Sequence, residues 1–372
     1  MLNTFSGEKL YRLLKPLAQA IFYRKFNVTE GDYVLPDHEP YILVGHHVSA
    51  FDPIIINCFS KRLIYFLYGD VNTDLKLRQF LLNRLEMIPF SKKTADFRSI
   101  REVKKKIMAN KPVGIYPEGS ATWDGRTQPI IVSTAKLIKR MNVSVYGVRY
   151  YGAYLSKPRW CKYTRKGQVK METFLVISAD DIHVLSTDQI EKRLISSVQY
   201  DEMMWQKEVM IPFKGKRRAE NIERLLYACP ECGAFNSFTS HKHEFTCNSC
   251  DTRFFYSEYG FIKKNGQDYC MQISEWSRWQ YKTLDKVEVF PQIRQIETYI
   301  DGVPYIEPIS LSKSGINIQS NIPFQEIRSL SMTLSTHLEF FYQGKKYRLV
   351  FKEGATISIK FFHDYIERHQ KN

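Results

Sequence analysis

This sequence has no apolar run approaching the roughly eighteen residues of a bilayer-spanning helix, which excludes an α-helical membrane span. Its N-terminus lacks a compact apolar segment followed by a small-residue cleavage site, so the chain is expected to stay in the cytoplasm. Neither an internal repeat nor a low-complexity stretch is present, which sets aside repeat architectures and disordered tails. No serine sits in a G-x-S-x-G elbow, so a hydrolase nucleophile of that kind is excluded. Acidic residues are in deficit: 39 Asp and Glu face 54 Lys and Arg, a formal charge of +15. That balance favours an anionic partner, whether a phospholipid surface, a phosphorylated substrate or nucleic acid. Cysteines number seven, an odd count, and four of them fall in two C-x-x-C pairs. Without secretion, such pairs argue for metal ligation over a disulfide framework.

What is present organises into two or three domains: 372 residues, 44% of them hydrophobic, supply ample core. Over residues 5–25, Leu10, Leu13, Leu14, Leu17 and Ile21 recur at helical spacing among Lys9, Arg12, Lys15, Arg24 and Lys25. This basic amphipathic helix fits a membrane interface as well as it fits packing on its own domain. Strand-like runs at 41–44, 113–116 and 143–148 alternate with helical segments near 53–60, 74–84, 96–109 and 130–140, the pattern of an α/β domain. KGKRRAE (214–220) reads as a linker. We place the first domain at 1–215, a cysteine-bearing unit at 225–262 and a β-rich domain at 265–372. The last combines several strand signals, a hairpin at Gly344 and a closing helix near 356–369, faintly like a pleckstrin-homology or GRAM-type module.

YILVGHHVSAFDP (41–53) is a buried strand, a short loop and a helix start. Asp52-Pro53 suits a first helical turn, with Asp52 capping free N–H groups. An ionised Asp52 near His47 holds that imidazole in one orientation, the layout of a general base with its partner. His46 and His47 with Asp52 as a metal site is disfavoured because adjacent residues of a strand end point apart. VGIYPEGSATWDG (113–125) is a second strand, ending in Glu118, Gly119 and Ser120, where glycine allows close approach and free N–H groups suit phosphate or an oxyanion. Between them, LEMIPFSKK (85–93) brings Lys92 and Lys93 after an apolar stretch.

These blocks, in this order, resemble the PlsC family of glycerolipid acyltransferases over roughly residues 30–155. The family's Asn-His-x-Ser-x-x-Asp is matched by His46 to Asp52, with His46 in the Asn place. Its phosphate-binding Arg is replaced by Lys92, and its Phe-Pro-Glu-Gly-Thr-Arg by Tyr116 to Ala121, which removes a second Arg. Its fourth block falls at Val145 to Val148, with Tyr146 replacing proline. The resemblance implies that His47, oriented by Asp52, deprotonates a hydroxyl attacking the thioester of acyl-CoA or acyl carrier protein. It assigns substrate contacts to Ser49, Lys92, Glu118, Gly119 and Ser120, and a lysophospholipid acceptor, 1-acyl-glycerol 3-phosphate. Arg126 and Arg149 are the expected replacements for the missing arginine. Rivals are another lipid or amine acceptor, and a non-catalytic adaptor on the same fold.

Cys229-x-x-Cys232 and Cys247-x-x-Cys250 are separated by fourteen residues and read as a closed structural Zn²⁺ site of zinc-ribbon type, ahead of a rubredoxin-like iron site. Finally, residues 149–170 interleave Tyr150, Tyr151, Tyr154, Trp160 and Tyr163 with Arg149, Lys157, Arg159, Lys162, Arg165 and Lys166. We read this stretch as a headgroup interface on an anionic membrane surface, ahead of nucleic acid, with a plain solvated face as the bland alternative. The expected protein is an α/β acyltransferase peripheral to the inner membrane face, followed by a zinc ribbon and a β-rich domain.

Overall fold

The computed structural model describes residues 6–69, 76–90, 97–351 and 357–370. By packing, the chain divides into two units: Met1–Pro158 with Thr164–Lys214, and Arg159–Tyr163 with Gly215–Asn372.

The first unit runs α1 (Gly7–Phe26), β1 (Val28–Glu30), β2 (Ile42–Gly45), α2 (Asp52–Phe59), β3 (Tyr65–Gly69), α3 (Lys76–Arg84), β4 (Ile88–Phe90), α4 (Phe97–Met108) and β5 (Val113–Ile115). It continues through α5 (Ser133–Met141), β6 (Val145–Tyr151), α6 (Ala153–Ser156), β7 (Val169–Ile177), α7 (Ala179–Val184), α8 (Thr187–Val198) and α9 (Glu202–Val209). The seven strands form one sheet in the order β1-β7-β6-β2-β5-β3-β4. From β6 to β4 all neighbours are parallel, and β7 turns the sheet antiparallel at β6. β2 lies between two parallel partners and all four of its residues are buried, which is why it reads as an unbroken apolar run. Ile42, Val44, Val113, Ile115 and Val145 of the sheet pack with Val103, Ile138, Ile190 and Leu194 from α4, α5 and α8. The carboxyl ends of the adjacent parallel strands β2 and β5 open onto the same edge, the place where α/β sheets bind ligands.

Two sequence readings change here. Asp52 opens α2 but does not cap it; Phe51 holds the cap position without a side-chain bond. Donors in the preceding loop claim the carboxylate instead. The aromatic stretch 149–170 is largely interior: Tyr150, Tyr154 and Trp160 are fully buried and Arg165 is nearly so. β6 alternates its side chains between the two faces of the sheet, which puts Tyr150 inside, and α6 buries Tyr154.

The second unit holds two sheets. β8 (Phe238–His241), β9 (Glu244–Cys247), β10 (Arg253–Tyr256), β11 (Ile262–Lys264) and β12 (Gln267–Asp268) form a five-stranded antiparallel sheet. After α10 (Ile273–Lys282) come β13 (Gln292–Ile300), β14 (Val303–Leu311), β15 (Gly315–Ile318), β16 (Ser320–Pro323), β17 (Arg328–Thr333), β18 (His337–Tyr342) and β19 (Lys345–Val350). These make a seven-stranded sheet in the order β16-β15-β14-β13-β19-β18-β17, followed by α11 (Ile359–Gln370). The stretch 214–220 is not a free tether: Ala219 is buried and Arg218 donates to the carbonyl of Tyr256.

Candidate active site

The His47 side chain sits at the end of β2 with its Nδ1 2.7 Å from Asp52 Oδ2. Asp52 is fully buried and saturated: it also accepts from the N–H of Val48 (2.8 Å), the N–H of Ser49 (3.0 Å) and the hydroxyl of Ser49 (2.7 Å). Four donors around one carboxylate leave it one orientation. A carboxylate can only accept, so Nδ1 of His47 carries the proton and Nε2 is the basic nitrogen. The His47 side chain keeps 19% of its surface exposed, and among the described residues Nε2 has no hydrogen-bond partner. A hydroxyl arriving there meets a base that is held from behind.

Glu118 ties the third motif block to the first. Its Oε1 accepts from the N–H of His47 and its Oε2 from the N–H of Gln128, both at 2.6 Å. Burial pushes the carboxyl up to about 8, against the pull of the Gln128 and His47 N–H groups. Thr122 N–H also donates to the carbonyl of His47 (2.8 Å), so both backbone polar groups of that residue are pinned. Gly119 adopts φ +71°, the left-handed turn that lets the chain double back over Tyr116. Its N–H is used in that turn, donating to the Tyr116 carbonyl at 3.1 Å, while Ser120 makes no hydrogen bond among the described residues. His46 is buried beneath the site, its Nε2 3.2 Å from the carbonyl of Tyr150. Burial pushes it down to about 4, which keeps it neutral.

Residues 25–151 match the family model described as Acyltransferase. This segment is an acyltransferase-family domain. The motif blocks that resemble the PlsC family, roughly residues 30–155, fall on the same stretch. Among solved structures, the 1-acyl-sn-glycerophosphate (LPA) acyltransferase PlsC from Thermotoga maritima is similar at 18% identity, covering 50% of this chain and 76% of its own, with a TM-score of 0.44.

Not every predicted residue of the acyltransferase domain converges on His47. Ser49 turns inward and holds Asp52. Arg126 is committed to buried Asp124, with Nη2 2.6 Å and Nε 3.2 Å from Oδ2. Arg149 points to the opposite sheet face from Tyr150, over the Phe174 ring, and donates to the Ser197 carbonyl at the end of α8. Lys92 lies outside the described residues. Sequence reasoning missed Tyr116, Tyr150 and Phe66, which line the site. The signal available for the first was a tyrosine in the family's phenylalanine place, and for the second the alternation of β6. A cleft of about 490 Å³ lined by Gln292, Arg294, Pro308, Asn317 and Asn321 belongs to the second unit and holds none of the predicted residues.

The four cysteines do converge: their sulfurs lie within 4.8 Å of one another. Sulfurs bound to one zinc ion at about 2.3 Å stand roughly 3.8 Å apart in a tetrahedron. Cys229 and Cys250 Sγ are 3.9 Å apart, and Cys232 and Cys247 Sγ 3.7 Å. Backbone N–H groups of Glu231 and Cys232 face the Cys229 sulfur, and that of Ala234 faces Cys232. Such donors favour thiolates, so the donor set fits a zinc ion.

Proposed function

We propose that this protein moves a fatty acyl group from the thioester of acyl-CoA or acyl carrier protein to the hydroxyl of 1-acyl-glycerol 3-phosphate, giving phosphatidic acid. The observation that carries the reading is the 2.7 Å His47–Asp52 contact inside an acyltransferase-family domain. In this mechanism Nε2 of His47 takes the acceptor's hydroxyl proton as the oxygen bonds to the thioester carbonyl carbon. The tetrahedral oxyanion collapses, the C–S bond breaks, and the imidazolium returns its proton to the leaving thiolate. No acyl-enzyme forms. The Ser120 N–H, one residue beyond the turn closed by Gly119, is the donor we assign to the oxyanion, a role worth about 3 kcal/mol in other oxyanion holes.

The membrane contact in this reading is α1, whose outward residues Leu13, Leu17 and Ile21 are 64%, 61% and 51% exposed beside Arg12, Arg24 and Lys25. Among the described residues no helix is long and apolar enough to cross a membrane. A structural zinc ion held by Cys229, Cys232, Cys247 and Cys250 completes the proposal and supplies no chemistry to the transfer.

A second reading keeps the chemistry but changes the acceptor to a lipid or amine without phosphate. It is favoured by Ala121, by the Arg126–Asp124 pair and by the contacts of Arg149. The test offers the purified protein an acyl-CoA and acceptors with and without a terminal phosphate, reading new lipid by mass. We expect His47→Ala to lose about 10²–10⁴-fold in rate and Asp52→Asn nearly as much. Lys92→Ala should raise KM for the phosphorylated acceptor far more than for the donor. Near-parental transfer by His47→Ala would end the reading, and indifference to phosphate would hand it to the second acceptor class.

A further inference from the structure

Three rings stack at the candidate active site. Phe66 lies on Tyr116 with centroids 5.3 Å apart and planes 10° apart, and Tyr116 lies on the His47 imidazole at 4.5 Å and 15°. Glycines make room for them: a Cβ on Gly114 would meet the Phe66 ring at 2.2 Å, and one on Gly45 would lie 3.3 Å from Tyr116. The Tyr116 hydroxyl is 2.9 Å from that of Tyr150, which is 3.0 Å from the backbone carbonyl of Asp52. Counting protons fixes the direction of this chain. A carbonyl only accepts, so Tyr150 uses its single O–H on Asp52 and Tyr116 must donate to Tyr150. Burial pushes both phenols well above the usual tyrosine range, so neither loses its proton.

One face of the imidazole and the backbone of its carboxylate are therefore tied to the same two tyrosines, one just past the end of β5 and one on β6. The Nδ1 contact alone leaves the ring free to tilt about its bond to Asp52. The stack removes that freedom, and the electron-rich face of a tyrosine attracts the imidazolium formed during proton transfer more than the neutral ring. We infer that Tyr116 and Tyr150 are positioning residues that hold His47 and Asp52 as one unit, with the face of Tyr116 set against the charge that develops on His47. The inference rests on the acyl-transfer reading for its kinetics, but not for its spectroscopy.

Three variants of the full chain test it. Tyr116→Phe keeps the stack and loses the hydroxyl, Tyr116→Leu keeps bulk without a ring face, and Tyr150→Phe removes the donor to the Asp52 carbonyl and the acceptor of the Tyr116 hydroxyl. We expect Tyr116→Phe to stay within about threefold of the parent in kcat. Tyr116→Leu and Tyr150→Phe should each fall about 10–100-fold, with KM for both substrates within about twofold, as small misplacements of a reacting group do. Rings that merely fill space would let leucine serve as well as phenylalanine. Histidine-selective ¹⁵N NMR supplies a readout free of catalysis: His47 should hold the single Nδ1–H tautomer in the parent and in Tyr116→Phe, and lose it in the other two. Parental kcat and tautomer in both Tyr116→Leu and Tyr150→Phe, alongside an inactive His47→Ala, would overturn the inference and leave the acyl-transfer reading intact. Activity in His47→Ala would instead overturn that reading, and the tautomer would still decide the clamp. If Tyr116→Leu does not fold, Tyr150→Phe decides alone.

Discussion

Both carboxylate oxygens of Glu118 accept backbone N–H groups, and only 8% of the residue is exposed. Burial lifts its pKa from 4.5 to about 8, so the folded chain holds this proton more tightly than the unfolded one. The stability it contributes is then fully present below about pH 4.5 and lost as pH rises through about 8. We expect the unfolding free energy to decline across that window, and Glu118→Gln to flatten the decline, in denaturant titrations at a series of pH values. Parallel curves for the two proteins would refute the assignment. Glu118→Gln should also cost about 1–3 kcal/mol at low pH, because its amide N–H₂ must face one of the two N–H donors. At this scale the sequence was readable where partners are near in the chain. The His47–Asp52 pair spans one loop, and its spacing together with the neighbouring motif blocks announced it, whereas Ser49, read as a substrate contact, donates to Asp52. Arg126 has its partner two residues away in Asp124, a pair the sequence displayed and a search for phosphate ligands passed over. Arg149 meets Phe174 and Ser197, which only the pairing of β6 with β7 and the packing of α8 bring near.

Helix α1 has two apolar faces, and composition could not separate them. The inner face buries Leu10, Tyr11, Phe22 and Phe26 and anchors polar tips as well: the Tyr11 hydroxyl shares its one proton between the carbonyls of Asn57 (2.7 Å) and Ser60 (2.6 Å), and Gln19 donates to that of Cys58. Phe22 and Phe26 pack on Phe51, the residue before Asp52. The outer stripe of Leu13, Leu17 and Ile21, at i, i+4 and i+8, stays in water. Either reading of the sequence, interface helix or packed helix, used residues from both faces. Burying one such side chain is worth about 1.5–3 kcal/mol, and about 1.4 kcal/mol is tenfold in an equilibrium constant. Leu17→Glu with Ile21→Glu should therefore weaken binding to phosphatidylglycerol vesicles at least about tenfold in co-sedimentation. The thermal midpoint should hold, because neither side chain contributes to the core. Unchanged vesicle binding at low salt would remove α1 from the membrane contact. The strands follow the same logic: β2 and β5 announced themselves as apolar runs, whereas β1, β3, β4 and β7 did not. β1 and β4 are three residues long, and β7 carries Lys170, Glu172 and Thr173 among its apolar positions.

At the scale of the whole molecule, packing groups the cysteine cluster and the seven-stranded sheet into one unit that also takes up Arg159–Tyr163 from the middle of the chain. Within that unit Trp160 packs edge-on against Tyr256 of β10, and Trp276 meets Phe238, Phe245 and Phe254 while its indole N–H donates to the carbonyl of Ala228 at 2.8 Å. Ala228 precedes Cys229, and Cys247 ends β9, so the cysteine cluster and this aromatic core share a backbone. The five antiparallel strands are only two to four residues long, and small sheets of that size are commonly held by a staple. A zinc ion on the four sulfurs would be such a staple, and its binding would then be coupled to the folding of this sheet. The purified protein should carry close to one zinc ion per chain and be colourless. Stripping the ion with a strong chelator under reducing conditions should shift tryptophan emission to the red, because Trp160 and Trp276 lose their cover, and returning zinc should restore it. Cys247→Ser should reproduce the shift without chelator. A red iron-containing protein would replace zinc with a rubredoxin-like site, and metal-free protein with parental emission would show that the aromatic core of the second unit holds these four cysteines together unaided.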